Sequence, residues 1–135
     1  MPNYTITHLH TMLSNGVTNI DSVTSFQQYI DKAKELGMSA IAFTEHGSVF
    51  EWYHKKCAAE EAGMKYIHAA EVYLTESLDE KVRDNYHCCL YSRNYDGVRE
   101  LNKLISTSFN RQDNHFYYTP VSYTHLRAHE TLRHL

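Results

Sequence analysis

Twice in this chain a glycine closing an amphipathic stretch is followed by a short apolar run and then, eight residues past the glycine, by a glutamate. Gly37-Met38 leads through Ile41 to Glu45, and Gly63-Met64 leads through Ile67 to Glu71. Ahead of the first glycine, "VTSFQQYIDKAKELG" sets Phe26, Tyr29, Ile30, Ala33 and Leu36 three and four residues apart behind Ser and Thr caps, which predicts a helix. "MSAIAF" then predicts a strand, and the loop "TEHGS" leads to a second helix from about Val49 to Ala62 and a second strand at "KYIHAA". Helices and strands that alternate over short connections follow the grammar of parallel βαβ units, so the expected class is α/β. A chain of 135 residues is one domain or part of one.

In such folds ligands collect at the C-terminal ends of strands, where Glu45, His46 and Glu71 are expected. "THLHT" at Thr7–Thr11 adds His8 and His10 at the end of an expected first strand, Tyr4–Leu9. Side chains at i and i+2 of a strand share one face, so the two imidazoles can enter one cavity. A further apolar run, "HCCLY", starts with His87 and is followed by cap candidates Asn94–Asp96 and a helix carrying Val98, Leu101, Leu104 and Ile105. In a parallel unit His87 falls at the wrong end of its strand. Imidazole and carboxylate together suit zinc, manganese or iron rather than calcium or magnesium, and more than three such ligands imply two or three ions. Clustered ions of this kind support phosphoester hydrolysis.

Other features have plainer readings. His54 and His68 read as ordinary surface or core histidines, and Cys57, Cys88 and Cys89 as reduced thiols without a CxxC pair. The charged "ESLDEKVRDN", from Glu76 to Asn85, reads as a solvated loop or hairpin tip, and "HFYY" at His115–Tyr118 lacks the basic neighbours of a base-stacking platform. A net charge of −3 announces no strong nucleic-acid footprint. Apolar runs too short to span a bilayer, and an N-terminus without a signal-like leader, predict a cytoplasmic protein that makes no membrane contact.

The end of the chain is set apart. "VSYTHLRAHET", Val121–Thr131, resembles the conceptual translation of a transposon mosaic end joined to a sequencing adapter. On that reading residues 1–119 are natural sequence, Pro120 is a hybrid codon, and residues 120–135 are an appended tail to be kept out of the functional argument.

The segments "HLHT", "AIAFTEHGS", "GMKYIHAAEVY" and "YHCCLYSRNYDGVRELNKLIS" resemble, in order and spacing, the polymerase and histidinol phosphatase (PHP) domain family, nearest to the version at the N-terminus of bacterial DNA polymerase III alpha subunits. The resemblance covers Met1 to Thr119 and implies the first half of an irregular TIM-like (β/α) barrel, with the exposed strand edges of an incomplete domain. It implies metal-ligand roles for His8, His10, His46, Glu71 and His87. The family's Thr-Asp-His-Gly motif reads Thr44-Glu45-His46-Gly47 here, which suggests an orienting role for Glu45. A loop ligand is also implied. Asp21 is preferred to Asn15, because an anionic oxygen binds a cation better than an amide does.

The family's last ligands, a Cys or His and an Asp-x-His, have no counterpart before Thr119, so the centre is expected to be incomplete and the fragment alone inactive. The resemblance implies a parent that extends DNA alongside other replisome subunits, its PHP module acting as a metal-dependent 3′–5′ exonuclease or as structural support. A stand-alone phosphoesterase of the histidinol-phosphatase kind and a non-catalytic, metal-stabilised interaction module are the alternatives.

Overall fold

The computed structural model describes residues 4–16, 20–75, 86–109, 118–120 and 128–133. The expected loop Glu76–Asn85 and most of "HFYY" lie outside them. A 3-10 turn at Met12–Ser14 precedes α1 (Phe26–Glu35), β1 (Ala40–Phe43), α2 (Trp52–Glu61), β2 (Lys65–Thr75), β3 (Tyr86–Ser92), α3 (Tyr95–Phe109), β4 (Tyr118–Pro120) and β5 (Ala128–Arg133). The sheet order is β1-β2-β3-β5, with β4 also paired to β2.

The repeated Gly-Met pair has a physical cause. Gly37 (φ 72°) and Gly63 (φ 79°) adopt the left-handed conformation that lets a helix close on itself. The following amides reach back across the last turn, Met38 N to Ala33 O and Met64 N to Ala59 O, both at 2.9 Å. Each methionine is then delivered into one shared core with Ile30, Ala33, Ile41, Phe43 and Ala59. At the other end of α1 the Ser25 hydroxyl accepts from Gln28 N, and Gln28 Oε1 accepts from Ser25 N, a reciprocal cap. The helix α2 starts at Trp52 rather than near Val49, because Glu51 sits at φ 55° and breaks the helical path.

A second core packs α3 on the other half of the sheet, with Leu101, Leu104 and Ile105 against Val72, Leu74, Cys88 and Leu90. Each fully buried side chain of this size is worth about 1.5–3 kcal/mol of hydrophobic stabilisation.

Three strand expectations are corrected. Residues 4–10 form no regular strand: they run along β1, donated to by Ala42 N at Ile6 O (3.3 Å) and by Thr44 N at Leu9 O (2.9 Å). Three residues on one side span two on the other, so the ladder cannot propagate. The strand β2 continues through Glu71 to Thr75 instead of ending near the glutamate. Most consequentially, β3 runs antiparallel to β2, pairing Glu71 with Cys89 and Tyr73 with His87. Antiparallel pairing sets the start of β3 beside the end of β2, which puts His87 at the same end as the other candidates. Among the described residues no helix is long and apolar enough to cross a membrane.

Candidate metal centre

The strand β2 presents two unlike faces. Ala70, Val72 and Leu74 enter the α3 core, while Glu71 and Tyr73 project to the opposite side by strand alternation. Glu71 lies just where β1 has ended. Its amide donates to Glu45 O (3.1 Å) and its carbonyl accepts from Gly47 N (2.7 Å), a parallel bridge that sets His46 beside it.

Each residue of Thr44-Glu45-His46 then holds a different part of the opening segment. Thr44, fully buried, grips Leu9, the residue between the two histidines: its Oγ1 accepts from Leu9 N at 3.1 Å and its amide donates to Leu9 O. Glu45 follows the alternation of Ile41 and Phe43, away from the glutamate face, and its carboxylate accepts from Thr11 N (3.0 Å), Thr11 Oγ1 (2.6 Å), Ser14 Oγ and Lys55 Nζ (2.6 Å). Both Glu45 and Lys55 are 1% exposed. Burial would raise the Glu45 pKa, but Lys55, Ser14 and Thr11 more than reverse this and hold it below the usual carboxylate range. His46 turns back to the open face.

Glu71 is the hub of that face. Its Oε2 lies 3.0 Å from His10 Nε2, 3.0 Å from His46 Nδ1 and 3.5 Å from His8 Nε2, and its Oε1 lies 2.9 Å from His87 Nδ1. His8 and His10 are themselves 3.0 Å apart through their Nε2 atoms. Burial pushes Glu71 up, but His10 and His46 overcome it and keep the carboxyl ionised, well below its ordinary range. In turn His46 is raised, chiefly by its contact with Glu71 and further by Asp21. Asp21 Oδ2 stands 3.1 Å from His46 Nε2. Asn15, the competing loop candidate, does something else: its Oδ1 accepts from Asp21 N and Ser22 N, and its Nδ2 donates to Ser22 O, clamping the loop that carries Asp21.

The donor set fits a metal ion. Among the described residues Glu71 Oε2 is buried without a well-aligned hydrogen-bond donor, although three imidazole nitrogens surround it. An ionised oxygen facing three imidazole nitrogens suits a cation set among these atoms. Ligand atoms about 2.1 Å from one tetrahedral ion lie about 3.4 Å from each other. The His8, His10 and Glu71 separations of 3.0–3.5 Å match that span. These three form the described group able to hold an ion, with His46, His87 and Asp21 around it.

Sequence reasoning missed four contributors. Ser14 joins Glu45 to His10 Nδ1 (3.0 Å), Tyr73 OH reaches His46 Nδ1 (3.1 Å), and Thr11 and Lys55 anchor Glu45. Tyr73 alternates with Glu71 and could have been found by strand period. Ser14 and Thr11 lie on an irregular segment, and Lys55 resembles any other helix cation until the fold buries it. His54 is exposed on α2, whereas His68 is a core histidine, bonded through Nε2 to Asn102 Oδ1 at 2.8 Å. Cys88 packs in the α3 core.

A mixed α/β fold thus gathers histidines and a central glutamate at one end of its sheet, in a cluster that could hold a metal ion. The PHP domain model matches residues 7–135, and the chain belongs to that family. It is 32% identical over 119 residues to the DNA polymerase III subunit alpha of Borreliella burgdorferi, covering 84% of this chain and 10% of that protein. It is 27% identical over 130 residues to the Helicobacter pylori (strain J99) subunit alpha, covering 94% and 10%. A DNA polymerase III of PolC type from Thermotoga maritima is 38% identical over 77 residues, 57% of this chain and 5% of that protein. The chain therefore spans about a tenth of these relatives or less. Similar folds include a Bifidobacterium adolescentis protein described as a metal-dependent phosphoesterase (TM-score 0.55, 19% identity) and a Chromobacterium violaceum amidohydrolase (TM-score 0.56, 17% identity), each aligned over 77% of this chain and 32% of the other.

Proposed function

We propose that this chain is the N-terminal part of the PHP domain of a DNA polymerase III alpha subunit, bearing a multi-metal centre of the phosphoester-hydrolysing kind. The observation that carries the metal reading is Glu71: one oxygen faces His8, His10 and His46 and the other faces His87, so the carboxylate would share the holding of metal with imidazoles on both of its sides. The assigned ligands are His8, His10, His46, Glu71, His87 and Asp21, for zinc, manganese or iron. When bound, such ions would supply an acidified water and charge stabilisation on a phosphate. The chain's own part is orientation. Thr44 fixes the backbone between His8 and His10, Glu45 fixes Ser14 and through it the His10 ring, and Asn15 fixes the Asp21 loop.

Identity to alpha subunits over most of the chain supports the polymerase parent, and with it DNA and other replisome subunits as partners and a cytoplasmic setting. The half-barrel reading draws on likeness to longer solved folds, about a third of whose length this chain matches. The division at Thr119 rests on the string "VSYTHLRAHET" itself. In the structure Ala128–Arg133 pairs antiparallel with β3, and the family match runs through this stretch.

Two measurements test the proposal. Zinc or manganese titration of the chelator-stripped chain, followed by calorimetry, should show saturable binding that is lost in His10→Ala and retained in His54→Ala. Equal binding by both variants would sink the assigned centre. Sequencing the source DNA beyond the Thr119 codon should reveal a frame that completes the barrel and continues into polymerase domains. A frame closing after one barrel would point to a stand-alone phosphoesterase.

A further inference from the structure

A second concave site lies away from the metal centre, between the first turns of α2 and α3. It is a cavity of about 630 Å³, within the range of small-molecule sites. His68 lines it, held by Asn102 and met edge-on by the Trp52 ring at 5.3 Å. Tyr66 and Tyr91 also line it, and at its mouth Tyr53 and Tyr95 are 60% and 72% exposed.

Charge around this cavity runs against that of the chain. The molecule carries 16 carboxylate residues against 13 Lys and Arg, yet among the described residues Lys56, Lys65 and Arg93 line the site and no Asp or Glu does. Among the described residues Lys56 pairs with Glu60 at 2.7 Å, while Lys65 and Arg93 have no ion-pair partner. Two helices, of 10 and 15 residues, open their N-terminal ends onto the same space, and α2 has no side-chain cap. The α2 N-terminus adds positive potential, while that of α3 is capped by Asn94 Oδ1 and carries Asp96 in its first turn. Ser92 Oγ, also in the lining, is buried with no hydrogen-bond partner among the described residues. An uncharged apolar ligand would leave the cations unmatched. A bare anion would leave the ring-lined walls unfilled.

We propose that this cavity binds a nucleotide unit, with its base against Tyr53 and Tyr95 and its phosphate against Lys65 and Arg93. Exposed aromatic rings stack on any base, and flanking cations track the phosphate. The site is independent of the metal centre, so it can stand if the metal reading falls.

Trp52, the single tryptophan, lines the cavity and reports on it directly. Its fluorescence would be followed in chelator-containing buffer, so that no metal-held phosphate contributes. The titrants are dTMP, a short 5′-phosphorylated oligothymidylate, thymidine and inorganic phosphate. Saturable quenching is expected with the two nucleotides, with thymidine and phosphate weaker by about ten-fold or more. An oligonucleotide preference assigns the site to a DNA strand, and equal affinity assigns it to free nucleotides. Tyr95→Ala and the double variant Lys65→Ala/Arg93→Ala should each weaken binding by about ten-fold, whereas His8→Ala should not. Tyr95, Lys65 and Arg93 are exposed, so folding is not at stake in those variants, and circular dichroism checks the fold of His8→Ala. Absence of quenching, phosphate binding as tight as dTMP with Tyr95→Ala silent, or loss of binding in His8→Ala would each overturn the proposal.

Discussion

The Ser14 hydroxyl stands 3.0 Å from Nδ1 of His10 and bonds the Glu45 carboxylate on its other side. Glu45 is ionised and can only accept, so the single Ser14 proton points at it, and Ser14 Oγ must accept from His10 Nδ1–H. Nδ1 is thereby committed to Ser14, and Nε2 is the His10 nitrogen that faces Glu71. Supporting partners of this kind are worth about 10–100-fold in metal affinity. Ser14→Ala should weaken zinc binding by that factor and move the His10 ring nitrogen shifts in ¹⁵N NMR of the metal-free chain. Unchanged nitrogen shifts and affinity would remove Ser14 from the centre.

Lys55 and Glu45 form an ion pair sealed under α2. Breaking a buried pair from one side leaves an unmatched charge and costs about 3–5 kcal/mol. Lys55→Met should therefore lower stability in urea by about that much, and Lys55→Met/Glu45→Gln should recover part of the loss. A double variant no more stable than the single one would show that the charge itself is not the problem.

Burial lowers the pKa of His68, with Asn102 opposing and Lys55 reinforcing. The unfolded chain then binds the proton more readily than the folded one, so the His68 contribution is complete above the unfolded value of about 6.5 and is lost as pH falls toward the depressed folded value. Wild type minus His68→Gln stability, followed between neutral and mildly acidic pH, should decline with acid. A flat difference would mean that His68 titrates as it does in the unfolded chain.

Gly63 has open space where a Cβ would go, and only its φ of +79° disfavours a side chain. Gly63→Ala should cost about 1–2 kcal/mol and Gly63→Asn less, since asparagine tolerates this conformation. Equal thermal midpoints for wild type and Gly63→Ala would contradict the closure described for α2.

Asn15→Ala should free the loop that carries Asp21 without removing a ligand. It is expected to weaken metal binding by less than Asp21→Ala. The reverse order, read by calorimetry, would make Asn15 the ligand of the two.

From the sequence alone, local and periodic information was enough for the α/β class, the capped and glycine-closed helices and the strand at Ala40–Phe43, because helix and strand periods and the Gly-Met closure are written in neighbouring residues, whereas His8, His10, His46 and Glu71 meet as expected but from an irregular opening segment and a strand that runs on past Glu71. His87 needed more. Strand direction is set by which edges pair after a connection of any length, and a short apolar run carries no sign of it. Only the antiparallel pairing of β3 with β2 brings His87 Nδ1 to within 2.9 Å of Glu71. The same limit hid Ser14, Thr11 and Lys55. Their importance comes from burial around Glu45 by segments 31 to 34 residues earlier and ten residues later, and such contacts exist only once the whole sheet has closed over them.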